Sequence, residues 1–131
     1  YVYDLMDEIG FLTPLEAVAQ QHTRVRLAAR AVADLRLHLG TTDIAGITAH
    51  YEDRAMMTPA AARAEAVRNS MYPGAAVMYW LGTREIHRLR AEVARREGDA
   101  FSPRRFHDRF LSYGAIPVAL ISRLMLAEVA S

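Results

Sequence analysis

The chain has no cysteine, which excludes disulfides and thiolate chemistry but leaves the compartment open. It has no lysine either, so all sixteen basic residues are arginine. Together with abundant alanine, that points to a GC-rich coding sequence more than to a function. Opposite charges nearly cancel, at a formal net charge of +1, so no global field exists to hold nucleic acid or an anionic membrane. No apolar run approaches the roughly 20 residues that a membrane span requires. The first residues show no basic–apolar–small cleavage pattern. Also missing are a His-Glu-x-x-His pair, a nucleophile elbow around any serine, and a glycine-rich phosphate cradle. Read alone, these absences predict no nucleic-acid partner, no membrane partner, and no complete metal or cofactor site within this chain. A soluble protein is expected, with the compartment open between cytoplasmic and exported.

What is present is globular. The 131 residues are 52% hydrophobic and 24% charged, enough for one domain with a real core. The helix signals are frequent. Thr13-Pro14-Leu15-Glu16 combines a cap, a first-turn proline and the glutamate of a capping box. Its helix runs to about Leu39 and stops at Gly40. Thr41 to Ala55 reads as a weaker helix, capped by Thr42 or Asp43. Thr58-Pro59 starts another to about Ser70, and Pro73 opens a long one to about Glu97, ended by Gly98. Ser102-Pro103 starts a helix to about Ser112, and Pro117 opens the last, to about Ala130. No segment alternates long enough to argue for a strand. The expectation is an all-α chain, a multi-helix array of about six helices forming a single domain over 1–131. In Tyr1 to Ile9, Val2, Leu5, Met6 and Ile9 recur on one helical face with no cap ahead of them. This reads as a helix cut open, and the chain as a fragment or excised domain of a larger protein.

Three places hold side chains with chemical potential. The second helix carries His22, Arg26, Arg30, Asp34 and His38 at spacing four, a slow spiral drifting about 40° per step. An Arg30–Asp34 ion pair is expected, and Asp34 is placed to orient His38 and favour its charged form. His38 then reads either as a ready proton or hydrogen-bond donor, or as part of a packed interface. Tyr79 and Trp80 follow Pro73-Gly74 on adjacent helix faces. Tyr79 reads either as an oxyanion donor or as a core aromatic. Arg68, at a helix end, suits either a carboxylate ligand or the helix dipole. His50 and Asp53, and likewise His107 and Asp108, are too sparse for a metal site.

An ordered series of motifs is similar to the C-terminal part of the bacterial domain-of-unknown-function 885 family, whose members look like helical zinc metallopeptidases. The series begins with Leu5-Met6-Asp7-Glu8-Ile9-Gly10 and continues through Arg30-x-x-x-Asp34-x-x-x-His38. It is strongest from Arg68 through Pro73-Gly74, Tyr79 and Gly82 to Ile86 and Leu89-Arg90. Gly98-Asp99-x-Phe101, Phe106-His107-Asp108, Leu111, Gly114 and Pro117 close it. The family's His-Glu-x-x-His helix and later glutamate ligand precede the matching segment. The resemblance therefore implies zinc in the parent protein and none in this chain, which supplies walls and secondary groups of a peptidase-like cleft. By the same resemblance His38 and Tyr79 contact substrate or transition state, and Arg68 binds a peptide carboxylate or holds the wall. The chain departs from the family at Arg36, usually glycine, at Asn69, usually tyrosine, and at Ala75, usually glutamine. A bulky Arg36 and a lost amide at Ala75 would reshape the cleft. The resemblance thus implies a portion of a zincin-like peptide hydrolase, inactive alone, with the remainder of the parent chain as partner and a peptide as substrate. The alternative is a non-catalytic helical protein-interaction module.

Overall fold

A computed structural model describes residues 1–128. The expected end of the last helix at Ala130 lies outside them. Among the described residues there are seven α-helices and no strand. They are α1 (Val2–Glu8), α2 (Pro14–His38), α3 (Ile44–Ala55), α4 (Pro59–Ser70), α5 (Ala75–Glu97), α6 (Pro103–Ser112) and α7 (Val118–Glu128), with a short 3₁₀ turn at Gly98–Ala100. None is long and apolar enough to cross a membrane. The chain divides into two compact units, Tyr1–Leu81 and Gly82–Ser131.

Local chemistry sets most of the boundaries. At α2 the Thr13 hydroxyl accepts from the Glu16 amide at 3.3 Å, and the Glu16 carboxylate accepts from the Thr13 amide at 2.8 Å. This is the expected capping box. Gly40 ends α2 with φ +68. Its N–H donates to the Leu37 carbonyl and that of Thr41 to the Arg36 carbonyl, the double closure of a left-handed helix stop. Asp43, rather than Thr42, caps α3 by accepting from the Gly46 amide at 2.8 Å. Ser102 does the same for α6. Thr58 precedes α4 without a side-chain cap bond, leaving the start to Pro59.

In the first unit α2, α3 and α4 pack on one another. Their shared core is Ala29, Ala33, Ile47, Tyr51, Ala55, Ala62 and Ala66. Alanine brings helix axes close together, so these helices meet on small residues around two large side chains, Ile47 and Tyr51. The Tyr51 ring is fully buried, and its hydroxyl accepts a bond from the Asn69 amide. Burial, and next the Glu65 charge, push the Tyr51 phenol far above its ordinary value. It stays neutral and available as an acceptor. His50 and His22 fasten α3 to α2 through the carbonyls of Ala29 and Ala55, at 3.3 and 3.4 Å.

The α2 face that packs is its alanine face. The branched aliphatic residues Leu15, Val18, Val25, Val32 and Leu39 form a stripe that stays largely exposed. On α1, Val2 and Ile9 are exposed as well, while Asp4 is buried and accepts from Gln20 and Arg24 of α2.

The second unit buries Leu89, Val93, Phe106, Ile121 and Met125. Arginines reach the backbone of its α7. Arg96 donates to the Leu126 carbonyl at 3.0 Å and Arg109 to the Met125 carbonyl at 3.1 Å. On the exposed side of α5, Glu92 pairs with both Arg95 and Arg96, the solvated charge pattern of a helix face.

Tyr51→Phe tests the core. It removes the acceptor and leaves the buried Asn69 amide without that bond, at a cost of about 1–3 kcal/mol. Denaturant unfolding should show a lower midpoint at unchanged slope. An unchanged midpoint means that the hydroxyl contributes nothing.

Candidate functional site

Sequence places the start of α5 at Pro73, but the helix begins at Ala75. Pro73 and Gly74 form a turn, and Gly74 sits at φ +80, a conformation that ends helical continuity and suits glycine. The Gly74 carbonyl accepts the first helical bond, from the Met78 amide at 3.0 Å. Gly74 is thus the cap position, and it has no side chain with which to serve the first-turn amides.

Asp34 of α2 supplies that side chain from forty residues away. One carboxylate oxygen accepts from the Gly74 amide at 2.8 Å. The other accepts from the Ala76 amide at 2.8 Å and the Val77 amide at 3.1 Å. The carboxylate also sits at the positive end of the α5 dipole. Asp34 is only 1% exposed. Burial pushes its pKa up, but the amides of Gly74, Val77 and Ala76 and the His38 ring outweigh that, leaving the carboxyl below its ordinary range.

His38 lies one turn further along α2. Its Nδ1 is 2.8 Å from the Asp34 carboxylate and 2.9 Å from the Asp34 carbonyl. Its Nε2 is 3.4 Å from the Ser70 carbonyl at the end of α4. Partial burial lowers its pKa, but the acceptors on both nitrogens, first the Asp34 and Ser70 carbonyls and then the Asp34 carboxylate, raise it on balance. The expected orientation of His38 by Asp34 is therefore present. The expected Arg30–Asp34 pair is not, because the carboxylate is spent on α5 and His38. Arg30 turns instead to Glu65 of α4, with Nε 2.6 Å from Oε1 at an angle too poor for a hydrogen bond.

A cleft of about 190 Å³ opens beside this junction, lined by Arg30, Arg68, Asn69, Tyr72, Ala75, Ala76 and Tyr79. Arg68 and Tyr79 thus share one cavity. His38 is not in its lining, although it reaches the Ser70 carbonyl, next in sequence to Asn69. Tyr79 is 60% exposed rather than packed, and Trp80 is 46% exposed. Arg68 is mostly exposed, and its nearest acid is Glu65 at 3.9 Å. One carboxylate therefore faces two guanidinium groups, leaving an excess positive charge at the wall. Of the departures from the family pattern, Ala75 and Asn69 line the cleft, Asn69 also donating to the Tyr51 hydroxyl, and Arg36 is exposed.

Glu65 and Tyr51 are contributors that sequence does not single out. The i,i+3 spacing of Glu65 and Arg68 is the one signal that marks either of them. Among the described residues no three His, Cys, Asp or Glu side chains cluster as a metal could require. The arrangement offers hydrogen-bond donors and a cation.

The junction is pH-dependent with a defined sign. His38 titrates higher folded than its ordinary 6.5, so its contribution is complete below that value and fades as pH rises through the folded pKa. Asp34 titrates lower folded than its ordinary 3.8, so its contribution is complete above that value and fades only as pH falls through the folded pKa. Denaturant midpoints of the wild type and His38→Ala at about pH 6 and about pH 9 check this. The gap between them should shrink at the higher pH; an equal gap refutes the coupling.

No curated protein and no solved structure matches the chain. A family model described as "Bacterial protein of unknown function (DUF885)" matches residues 1–125. The match spans nearly the whole chain, so the chain belongs to the DUF885 family.

Proposed function

We propose that this chain is the C-terminal helical portion of a zincin-like metallopeptidase homologue, where it forms one wall of the substrate cleft. The observation that carries the reading is that Arg68 and Tyr79 line one cavity, with His38 held on Asp34 beside it. Zinc belongs to the parent protein in this reading, bound outside these residues, where it would activate a water. The roles of this chain are to bind and to donate. Arg68, in excess over the single Glu65 charge, takes a carboxylate of the peptide. Tyr79, whose hydroxyl no described residue engages, donates to the oxyanion that develops on the attacked carbonyl. His38, kept protonated at Nδ1 by Asp34, exchanges its long Ser70 contact for a substrate oxygen. The chain alone is inactive, and the rest of the parent chain covers the exposed aliphatic stripe of α2.

That stripe also favours a second reading, a non-catalytic helical module that docks another protein through Leu15, Val18, Val25, Val32 and Leu39. The gene upstream of Tyr1 separates the two. A His-Glu-x-x-His helix followed by Glu-Gly-Trp supports the peptidase.

Tyr79→Phe in the full-length protein is the direct test. Turnover of peptides should fall about 10²–10³-fold, the usual effect of losing one oxyanion donor, with zinc content unchanged. Full turnover in the variant removes Tyr79 from the chemistry.

A further inference from the structure

Tyr79 has no side-chain hydrogen bond among the described residues and is largely exposed. Its place in the cleft is therefore inherited from the backbone of α5. That backbone begins at a glycine, which cannot cap its own helix. The first-turn amides of Ala76 and Val77, which no helical bond can serve, are instead held by one oxygen of Asp34. The other oxygen takes the Gly74 amide and faces His38 Nδ1. Both oxygens are fully used, in a side chain that solvent scarcely reaches.

We propose that Asp34 is the positioning residue of this site: its buried carboxylate is the side-chain cap that Gly74 lacks, and it fixes where Tyr79 stands relative to Arg68. The capping half of this statement stands on the geometry alone. The half that concerns Tyr79 rests on the function proposed above. Asparagine is nearly isosteric with aspartate but does not substitute here. Its NH₂ group must face either the Ala76 and Val77 amides or the Gly74 amide and His38, setting donor against donor.

Residue-resolved amide exchange tests the cap. In the wild type the Ala76 and Val77 amides should be protected, unlike free first-turn amides. In Asp34→Asn protection should fall roughly 10- to 100-fold at the Ala76 and Val77 amides or at the Gly74 amide, whichever the NH₂ group faces, the range for losing bonds to a charged acceptor. Amides around Tyr51, in the α3–α4 core, should keep their protection in the same sample. Unprotected Ala76 and Val77 amides in the wild type, or unchanged protection at Gly74, Ala76 and Val77 alike in a folded Asp34→Asn, overturn the proposal. If the variant does not fold, the wild-type measurement decides alone.

Kinetics of the full-length protein test the link to Tyr79. Asp34→Asn should lower kcat as far as Tyr79→Phe does, with KM changed no more than about twofold, and the double variant should be no worse than either single one. Additive losses in the double variant overturn the positioning role even when the exchange data support the cap. Loosened amides in Asp34→Asn, together with full turnover in Tyr79→Phe, leave the cap standing and reject the peptidase reading instead.

Discussion

One buried carboxylate holds the first unit's site together. Asp34 gathers the amides of Gly74, Ala76 and Val77 and the ring of His38 onto two oxygens. Burying a charge in this way is costly unless every lone pair is used, and here the donors are fixed backbone groups at a helix start. The contact joins the end of α2 to the beginning of α5. Through His38 and the Ser70 carbonyl it also touches the end of α4. The walls of the cleft come from those same places: Arg68 and Asn69 from α4, Ala75, Ala76 and Tyr79 from α5, and Arg30 from α2.

Sequence made the local structure readable and left the long-range structure dark. Thr13 with Glu16, Asp43 and Ser102 each cap within three residues, so their helices could be placed from composition and spacing. The α5 start could not, because its cap lies forty residues upstream and Pro73 imitates an ordinary first-turn proline. The spacing of Arg30, Asp34 and His38 was legible as a column of neighbours. It could not say that Asp34 would turn toward another helix, nor that Arg30 would meet Glu65. Tyr51 looked like any aromatic, since nothing local reveals that Asn69 will meet its hydroxyl. Of the candidate groups, Tyr79 and Arg68 converge on one cleft, while His38 stands beside it.

The two units bring opposite charges to helix backbone groups. In the first, a carboxylate satisfies orphan amides at a helix start. In the second, the guanidinium groups of Arg96 and Arg109 donate to the Leu126 and Met125 carbonyls of α7. Arginine suits that task because its fork presents several donors at once and never loses its charge. The alanine-rich face of α2 completes the pattern, since small residues let α3 and α4 approach while the aliphatic stripe is left to other company.

Gly74 carries a consequence for how the sequence can drift. A serine or aspartate there would supply the missing side-chain oxygen, but at φ +80 such a residue is strained. Asp34 in turn cannot become asparagine without setting an NH₂ donor against at least one of the three amides. Neither position can be improved alone, so the two behave as a single heritable unit. A lineage that changes one must change the other, or lose the first turn of α5.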